Sequence, residues 1–206
     1  MEQLQQKSDE ELARACQDGD LAAFDVLFER YQRPIRAYIY QVVHNFDDAS
    51  CIAQDVFLKV FEKVGSFDTQ RRFSTWFYTV ARNAAIDFLH ARRRKAMVSF
   101  TDLDRSDGDN TILEVSPGKT SRVETRLVHG ESIEHLRAAL QRLPQIYREI
   151  IELVILQDLS YEEASQILGG VSLGTLRSRM FHALRHLRRI LSDVAGHDGD
   201  DLLAER

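Results

Sequence analysis

Two cysteines, Cys16 and Cys51, are all that this 206-residue chain offers toward a covalent or metal-held framework. They lack metal-type spacing, and in a reducing compartment such thiols stay unpaired, so both read as ordinary small residues. Long apolar runs are missing too: the longest, around Ile150 to Leu156, is interrupted by charge and falls short of the roughly 20 residues a membrane span needs. The N-terminal stretch MEQLQQKSDEELAR has neither a basic start nor an apolar core, which argues against a secretory signal and for a cytoplasmic protein with no membrane partner. Catalytic signals are equally scarce. The seven histidines are scattered, no glycine-rich phosphate loop follows a strand, and no nucleophile sits in a recognisable elbow. The expectation is therefore no catalytic residues, no metal and no cofactor. Net basic charge is absent as well, the formal balance being −5, which excludes a general nucleic-acid coat.

What is present is local. From Phe67 to Lys95 there are seven Arg or Lys against two Asp, and from Val171 to Ile190 five Arg and no acid. The excess acid lies at the N-terminus, in a central polar stretch and in the tail. No segment alternates as a strand would, and no internal repeat is evident. Helical periodicity runs instead through Leu12, Ala15, Phe24, Leu27, Phe28 and Tyr31, with Asp9 as the expected first cap and Gly19 as a break. Pro34 suits the first turn of a further helix reaching about His44. Asp47 or Asp48 would cap a long helix whose stripe is Ile52, Val56, Phe57, Val60, Phe61 and Val64, ending at Gly65. Another begins near Phe73 and carries Trp76, Phe77, Val80, Ala84, Ile86 and Leu89 into Arg92, Arg93, Arg94 and Lys95.

From about Met97 to Thr125 the apolar periodicity disappears and Asp, Ser, Gly and Pro117 dominate, the composition of a flexible linker. It returns at Leu127, Ile133, Leu136 and Leu140. A Leu143, Pro144 step then opens a strongly apolar helix from Tyr147 to Gln157, and helices over about Ser160 to Leu168 and Leu173 to Leu191 flank the pair Gly169 and Gly170. The residues after Val194 are acidic and expected to fray. The expected fold is all-α: two small helical domains, residues 1–96 and 126–193, joined by a flexible linker over 97–125 and followed by an acidic tail over 194–206, with a helix-turn-helix in the second domain.

A short helix, a glycine turn and an Arg-rich second helix describe a helix-turn-helix whose second helix lies in the major groove. Ser160 caps its first helix, with Glu162 or Glu163 reaching back. On the second, Arg177, Ser178, Arg179 and His182 occupy the half where base edges are read, while Arg185, Arg188 and Arg189 suit phosphates. The bland alternative is a cationic solvated face on an ordinary bundle. In the segment RRFSTWFYTVARNAAIDFLHARRRK, aromatics stand beside Arg, Asn and Asp, the mixture that binds single-stranded DNA, although each aromatic taken alone reads more simply as core.

FDTQRRFSTWFYTVARNAAIDFLHARRRK resembles the promoter-melting region of extracytoplasmic-function sigma factors, and LPQIYREIIELVILQDLSYEEASQILGG with GTLRSRMFHALRHLRR resembles their second domain. The resemblance implies a noncatalytic subunit whose partners are core RNA polymerase, at its β′ clamp helices and β flap, and promoter DNA. It further implies −10 contacts by Arg71, Arg72, Phe73, Trp76, Arg82, Asn83, Asp87, Arg92, Arg93, Arg94 and Lys95, with Asn83 and the loop from Phe67 to Phe73 receiving a flipped base. The −35 contacts would come from Ser172, Thr175, Arg177, Ser178, Arg179, His182 and Arg185. Polymerase contacts would come from Asp47, Asp48, Ser50, Cys51, Gln54, Asp55 and Phe57.

Two departures stand out. Where the family commonly carries an acidic pair, in a stretch resembling DAEDIVQEVF, this chain reads DDASCIAQDVF, with Ser50 and Cys51 in those places. The chain thus resembles the phosphorylation-dependent subgroup, and Ser50 becomes a candidate phosphorylation site with a Ser/Thr protein kinase as a partner; sequestration by an anti-sigma factor is the other regulatory expectation. In the turn, LGGVSLGT is one residue longer than the family's usual LGIPVGT, which leaves open which of Ser172 to Thr175 caps the recognition helix. The competing reading is a stand-alone helix-turn-helix transcriptional regulator.

Overall fold

A computed structural model describes the backbone of residues 2–101, 136 and 138–200, and the side chains of 3–94, 136 and 138–192. Among the described residues there is no strand. They fall into two compact units, one on each side of residues 102–135.

The first unit holds α1 (Glu2–Gln5), α2 (Asp9–Gln17), α3 (Leu21–Val43), α4 (Phe46–Lys63), a single 3₁₀ turn (Val64–Ser66) and α5 (Phe73–Thr101). Gly19, at φ +93°, makes the left-handed step between α2 and α3 that a side chain would resist. α3, α4 and α5 pack on one another around rings: Phe73 and Phe77 are fully buried, and Phe73 lies 5.4 to 5.7 Å from Phe67, Tyr31, Trp76 and Phe77, mostly edge to face. Such pairs add about 0.5–1.5 kcal/mol each beyond their area. Asp9 ties the N-terminal helices down, pairing with Arg30 and accepting from the Tyr31 hydroxyl. Burial and that hydrogen bond push the Tyr31 phenol upward, so it stays a neutral donor.

The second unit begins with helical residues 138–141 and continues through α6 (Gln145–Ile151), a π-helical turn (Glu152–Leu156), α7 (Tyr161–Ile167) and α8 (Leu173–Asp200). Its core is aliphatic: Ile150, Leu153, Ala164, Ile167, Leu176 and Ala183 are essentially inaccessible.

Several local expectations change. Ser8, not Asp9, caps α2, in a reciprocal box with Glu11, because Asp9 is taken by Arg30 and Tyr31. Pro34 lies inside α3 rather than opening a helix. The roughly 3 kcal/mol that an interior proline costs is offset by the burial of Tyr31, Ile35, Tyr38 and Ile39 around it. Asn45, not Asp47 or Asp48, caps α4, its side chain accepting from the Asp48 amide at 2.9 Å, after His44 ends α3 in the left-handed region. Met97 to Thr101, expected in the linker, continue α5, and α8 runs on through Asp200, so the backbone from Val194 to Asp200 is helical where fraying was expected. The apolar helix expected from Tyr147 to Gln157 switches to π geometry at Glu152, with the Gln157 amide donating to the Glu152 carbonyl at 3.0 Å. The rest of the expected linker, and Leu127 and Ile133, lie outside the described residues.

Candidate nucleic-acid interface

α5 completes 3.6 residues per turn, so positions 76, 83, 87 and 94 fall within about 20° of one line along it. Trp76 on that line is half-buried, whereas Asn83, Asp87 and Arg94 are exposed, opposite the buried Phe77, Ala81 and Ala85. A half-buried indole and an exposed amide, carboxylate and guanidinium thus form one row, able to stack on, hydrogen-bond to and neutralise a strand with unstacked bases. Arg82, half-buried, and Arg93, exposed, lie on the flank. Arg92 points the other way and pairs with Asp48 of α4 at 3.4 Å. Arg71 and Arg72 are exposed before the helix, Arg71 against Asp68 at 3.4 Å. Phe73 is a wholly buried anchor whose ring is withdrawn from any base. The backbone of Lys95 continues α5.

On α4, Asp47, Cys51, Gln54 and Leu58 follow one another along the centre of the exposed face. Asp48 and Asp55 flank them on the α5 side. Ser50 flanks them on the α3 side, half-buried, its hydroxyl donating to the Phe46 carbonyl at 2.9 Å. Phe57 corrects an expectation: its ring is buried, 4.7 Å from Phe28 and 5.1 Å from Phe77, because its position on the helix faces α3 and α5 rather than solvent. Phe46, Leu58 and Phe61 are the large apolar residues exposed on this helix. Cys16, by contrast, is half-buried, and desolvation with help from Asp20 pushes its thiol up to about 11.

In the second unit Ser160 caps α7, accepting from the Glu163 amide while Glu163 reaches back to the Ser160 amide at 2.8 Å. Gly169 and Gly170 both take φ near +80°, and the Ser165 hydroxyl clamps the Val171 carbonyl at 2.7 Å. The open question of the cap resolves to Ser172: its Oγ accepts from the Thr175 amide at 3.2 Å and its carbonyl from the Leu176 amide at 3.0 Å. Thr175, Ser178, His182, Arg185 and Arg189 line the face of α8 turned from the core, all exposed except the half-buried His182. Arg177 lies on the flank with its guanidinium over the Tyr161 ring at 5.8 Å, and Arg179, half-buried, lies on the opposite flank. Beside Arg177, Phe181 and Leu184 are exposed, 63% and 47%, a pair that the cationic reading passed over although two large apolar residues outside the core stripe were visible in the pattern.

Among the described residues, no group of three or more His, Cys, Asp or Glu side chains is placed to hold a metal, and no helix is long and apolar enough to cross a membrane.

Comparison with known proteins agrees with this geometry. The Sigma-70 region 2 family matches residues 27–95, and the Sigma-70, region 4 family matches residues 133–187. The RNA polymerase sigma-H factor of Pseudomonas aeruginosa is 31% identical over 195 residues, covering 93% of this chain and 97% of that protein. The ECF RNA polymerase sigma-E factor of Escherichia coli K12 is 31% identical over 179 residues, covering 87% and 92%. In fold, the chain is similar to CnrH in its complex with the cytosolic domain of CnrY, at TM-score 0.61 and 19% identity over 91% of this chain and 99% of that one. It is also similar to the sigma factor RpoE of Bartonella quintana, solved with the anti-sigma factor NepR, at TM-score 0.58 and 24% identity over 82% and 96%. Both sigma regions, in order and on the two units that carry the exposed rows, show that the chain belongs to the extracytoplasmic-function sigma factors, noncatalytic subunits that bind core RNA polymerase and promoter DNA for transcription initiation.

Proposed function

We propose that this sigma factor reads its promoter with two separate faces, and that its union with core RNA polymerase is gated by covalent charge at Ser50. The row Trp76, Asn83, Asp87 and Arg94 takes bases of the opened −10 strand, with Arg71, Arg72, Arg82, Arg93 and Lys95 holding backbone nearby. The α8 face of Ser172, Thr175, Ser178, His182 and Arg185, flanked by Arg177 and Arg179, reads the −35 duplex. A stand-alone helix-turn-helix regulator would leave residues 27–95 without an account.

One observation carries the gating. The exposed face of α4 presents Asp47, Cys51, Gln54 and Leu58 along its centre with Ser50 at its edge, so positions 50 and 51 carry no carboxylate where the family commonly brings an adjacent acidic pair. Each missing charge-assisted hydrogen bond to a cation of the polymerase β′ clamp helices would forfeit about 1.5–3 kcal/mol. A phosphoryl group on Ser50 supplies roughly −1.5 to −2 charges at the edge of that face and removes the hydroxyl proton now donated to Phe46. A Ser/Thr protein kinase would reach it through local opening of the first turns of α4. Phe181 and Leu184 would offer an apolar surface to the β flap, and an anti-sigma protein is a further partner, as NepR is for RpoE of Bartonella quintana.

The test is core-polymerase affinity of the unmodified chain, the kinase-treated chain, Ser50→Ala and Ser50→Glu. The phosphorylated and Glu forms should bind about tenfold or more tightly than the other two. Equal, tight binding by all four would end the gating proposal while leaving the two-face reading intact.

A further inference from the structure

The loop from Phe67 to Phe73, which the family resemblance implies receives a flipped base, is tied to a distant helix as well as to itself. Its internal bonds are few: the Phe67 amide donates to the Val64 carbonyl at 3.0 Å, the Gln70 amide to Asp68 Oδ1 at 3.0 Å and the Arg71 amide to the Asp68 carbonyl at 2.9 Å. Further polar anchors come from one face of α2, some 50 to 60 residues earlier in the chain. Gln17 Nε2 donates to two carbonyls at once, Val64 at 2.9 Å and Phe67 at 2.8 Å. Arg14 Nη2 donates to Thr69 Oγ1 at 3.1 Å. Glu10 Oε1 accepts from the Phe73 amide at 3.0 Å, satisfying one of the first N–H groups of α5, which have no partner within their own helix. Glu10, Arg14 and Gln17 stand at i, i+4 and i+7, so a single helix face pins the entry, the middle and the exit of the loop.

We infer that α2 is a positioning element for −10 recognition: Gln17 and Arg14 hold the loop in the conformation that accepts a base, without touching DNA themselves. This rests on the reading of the loop as the base receptor. A loop fixed in advance binds without the ordering cost that a free loop must meet on each encounter, so α2 contributes to base discrimination rather than to general affinity. Glu10 acts differently from its two neighbours, because it caps α5 and so sets where the row beginning at Trp76 starts.

The experiment uses full-length chain with core polymerase in excess, on a promoter selected by the wild-type holoenzyme from a random-sequence pool. Its −10 bases are replaced one at a time by abasic sites. Gln17→Met removes the donor at similar volume, Arg14→Ala removes the Thr69 contact, and Arg14→Lys serves as the conservative rescue. In the wild type, loss of one base should weaken open-complex formation sharply; in Gln17→Met that penalty should shrink about tenfold, in Arg14→Ala less, with partial recovery in Arg14→Lys. Binding to a duplex −35 fragment and the melting temperature of the first unit should hold. Full retention of the single-base penalty in Gln17→Met would overturn the inference, and so would a uniform weakening at every position accompanied by a lower melting temperature. A wild type indifferent to every −10 base would instead overturn the reading of the loop on which the inference stands.

Discussion

The two surfaces proposed to face DNA are built from opposite chemistry. The row on α5 mixes Trp76, Asn83, Asp87 and Arg94, one cation balanced by one acid, over a core of edge-to-face rings. The face of α8 gathers Arg185 and Arg189 with Arg177 and Arg188 on its flank, no acid among them, over an aliphatic core. A duplex presents dense phosphate charge, so a cationic helix gains affinity at the cost of strong salt dependence. A strand already opened presents base faces and edges, and there a near-neutral row gains more from stacking and hydrogen bonding than from charge. The difference teaches that the overall charge of −5 conceals a division of labour rather than an absence of nucleic-acid binding.

The comparison can be broken most forcefully in the first unit's core. Phe73→Ala should cost about 3–5 kcal/mol of stability, since its ring is wholly buried among four others. Calorimetry should show the transition of that unit moving down while that of the second stays. A smaller effect, about 1–3 kcal/mol, is expected for Arg185→Ala in binding the −35 duplex, with a shallower salt slope. Titration across a range of salt, beside Asn83→Ala as the contrast, reads both: the Asn83 variant should lose open-complex formation without a change in slope. Ser160→Ala should destabilise the second unit by about 1 kcal/mol through loss of its capping box, measurable by denaturant unfolding.

The smallest effect concerns Glu152, whose carboxyl is raised from 4.5 by burial, only partly countered by the bond from Gln157 at 3.1 Å. The folded state therefore holds this proton more tightly than the unfolded chain. Its stabilising contribution is complete below pH 4.5 and is lost as pH rises through the folded value. Glu152→Gln should accordingly stabilise the second unit at neutral pH, and the gain should fade on acidification; an unchanging difference across pH would show that the carboxyl does not titrate as described.

Much of this was legible in the sequence where the signal is local. The start of α5 at Phe73, the Ser160 and Glu163 box and the glycine turn before α8 all follow from short-range rules about caps and left-handed residues. What escaped depends on distant partners. Asp9 looked like a cap until Arg30 and Tyr31 claimed it, and Pro34 looked like a helix start until the rings around it held α3 straight through. Phe57 could be placed on either edge of its stripe, and only the packing of α3 and α5 decides that it is core. The hold of α2 on the 64–73 loop joins residues with no sequence pattern in common, so nothing short of the fold could show it. The −10 candidates from Phe73 onward lie on one helix, yet the structure separates Arg92, turned toward Asp48, from its neighbours Arg93 and Arg94.

Permanganate reactivity of −10 thymines on a selected promoter tests the two-face account most directly, measured with the chain alone, with core polymerase added in excess, and with Asn83→Ala or Arg185→Ala in place of the wild type. Opening should require polymerase; Asn83→Ala should abolish it while protection of the −35 duplex persists, whereas Arg185→Ala should weaken both. Tight duplex binding by the chain alone, or undiminished opening by Asn83→Ala, would contradict the account.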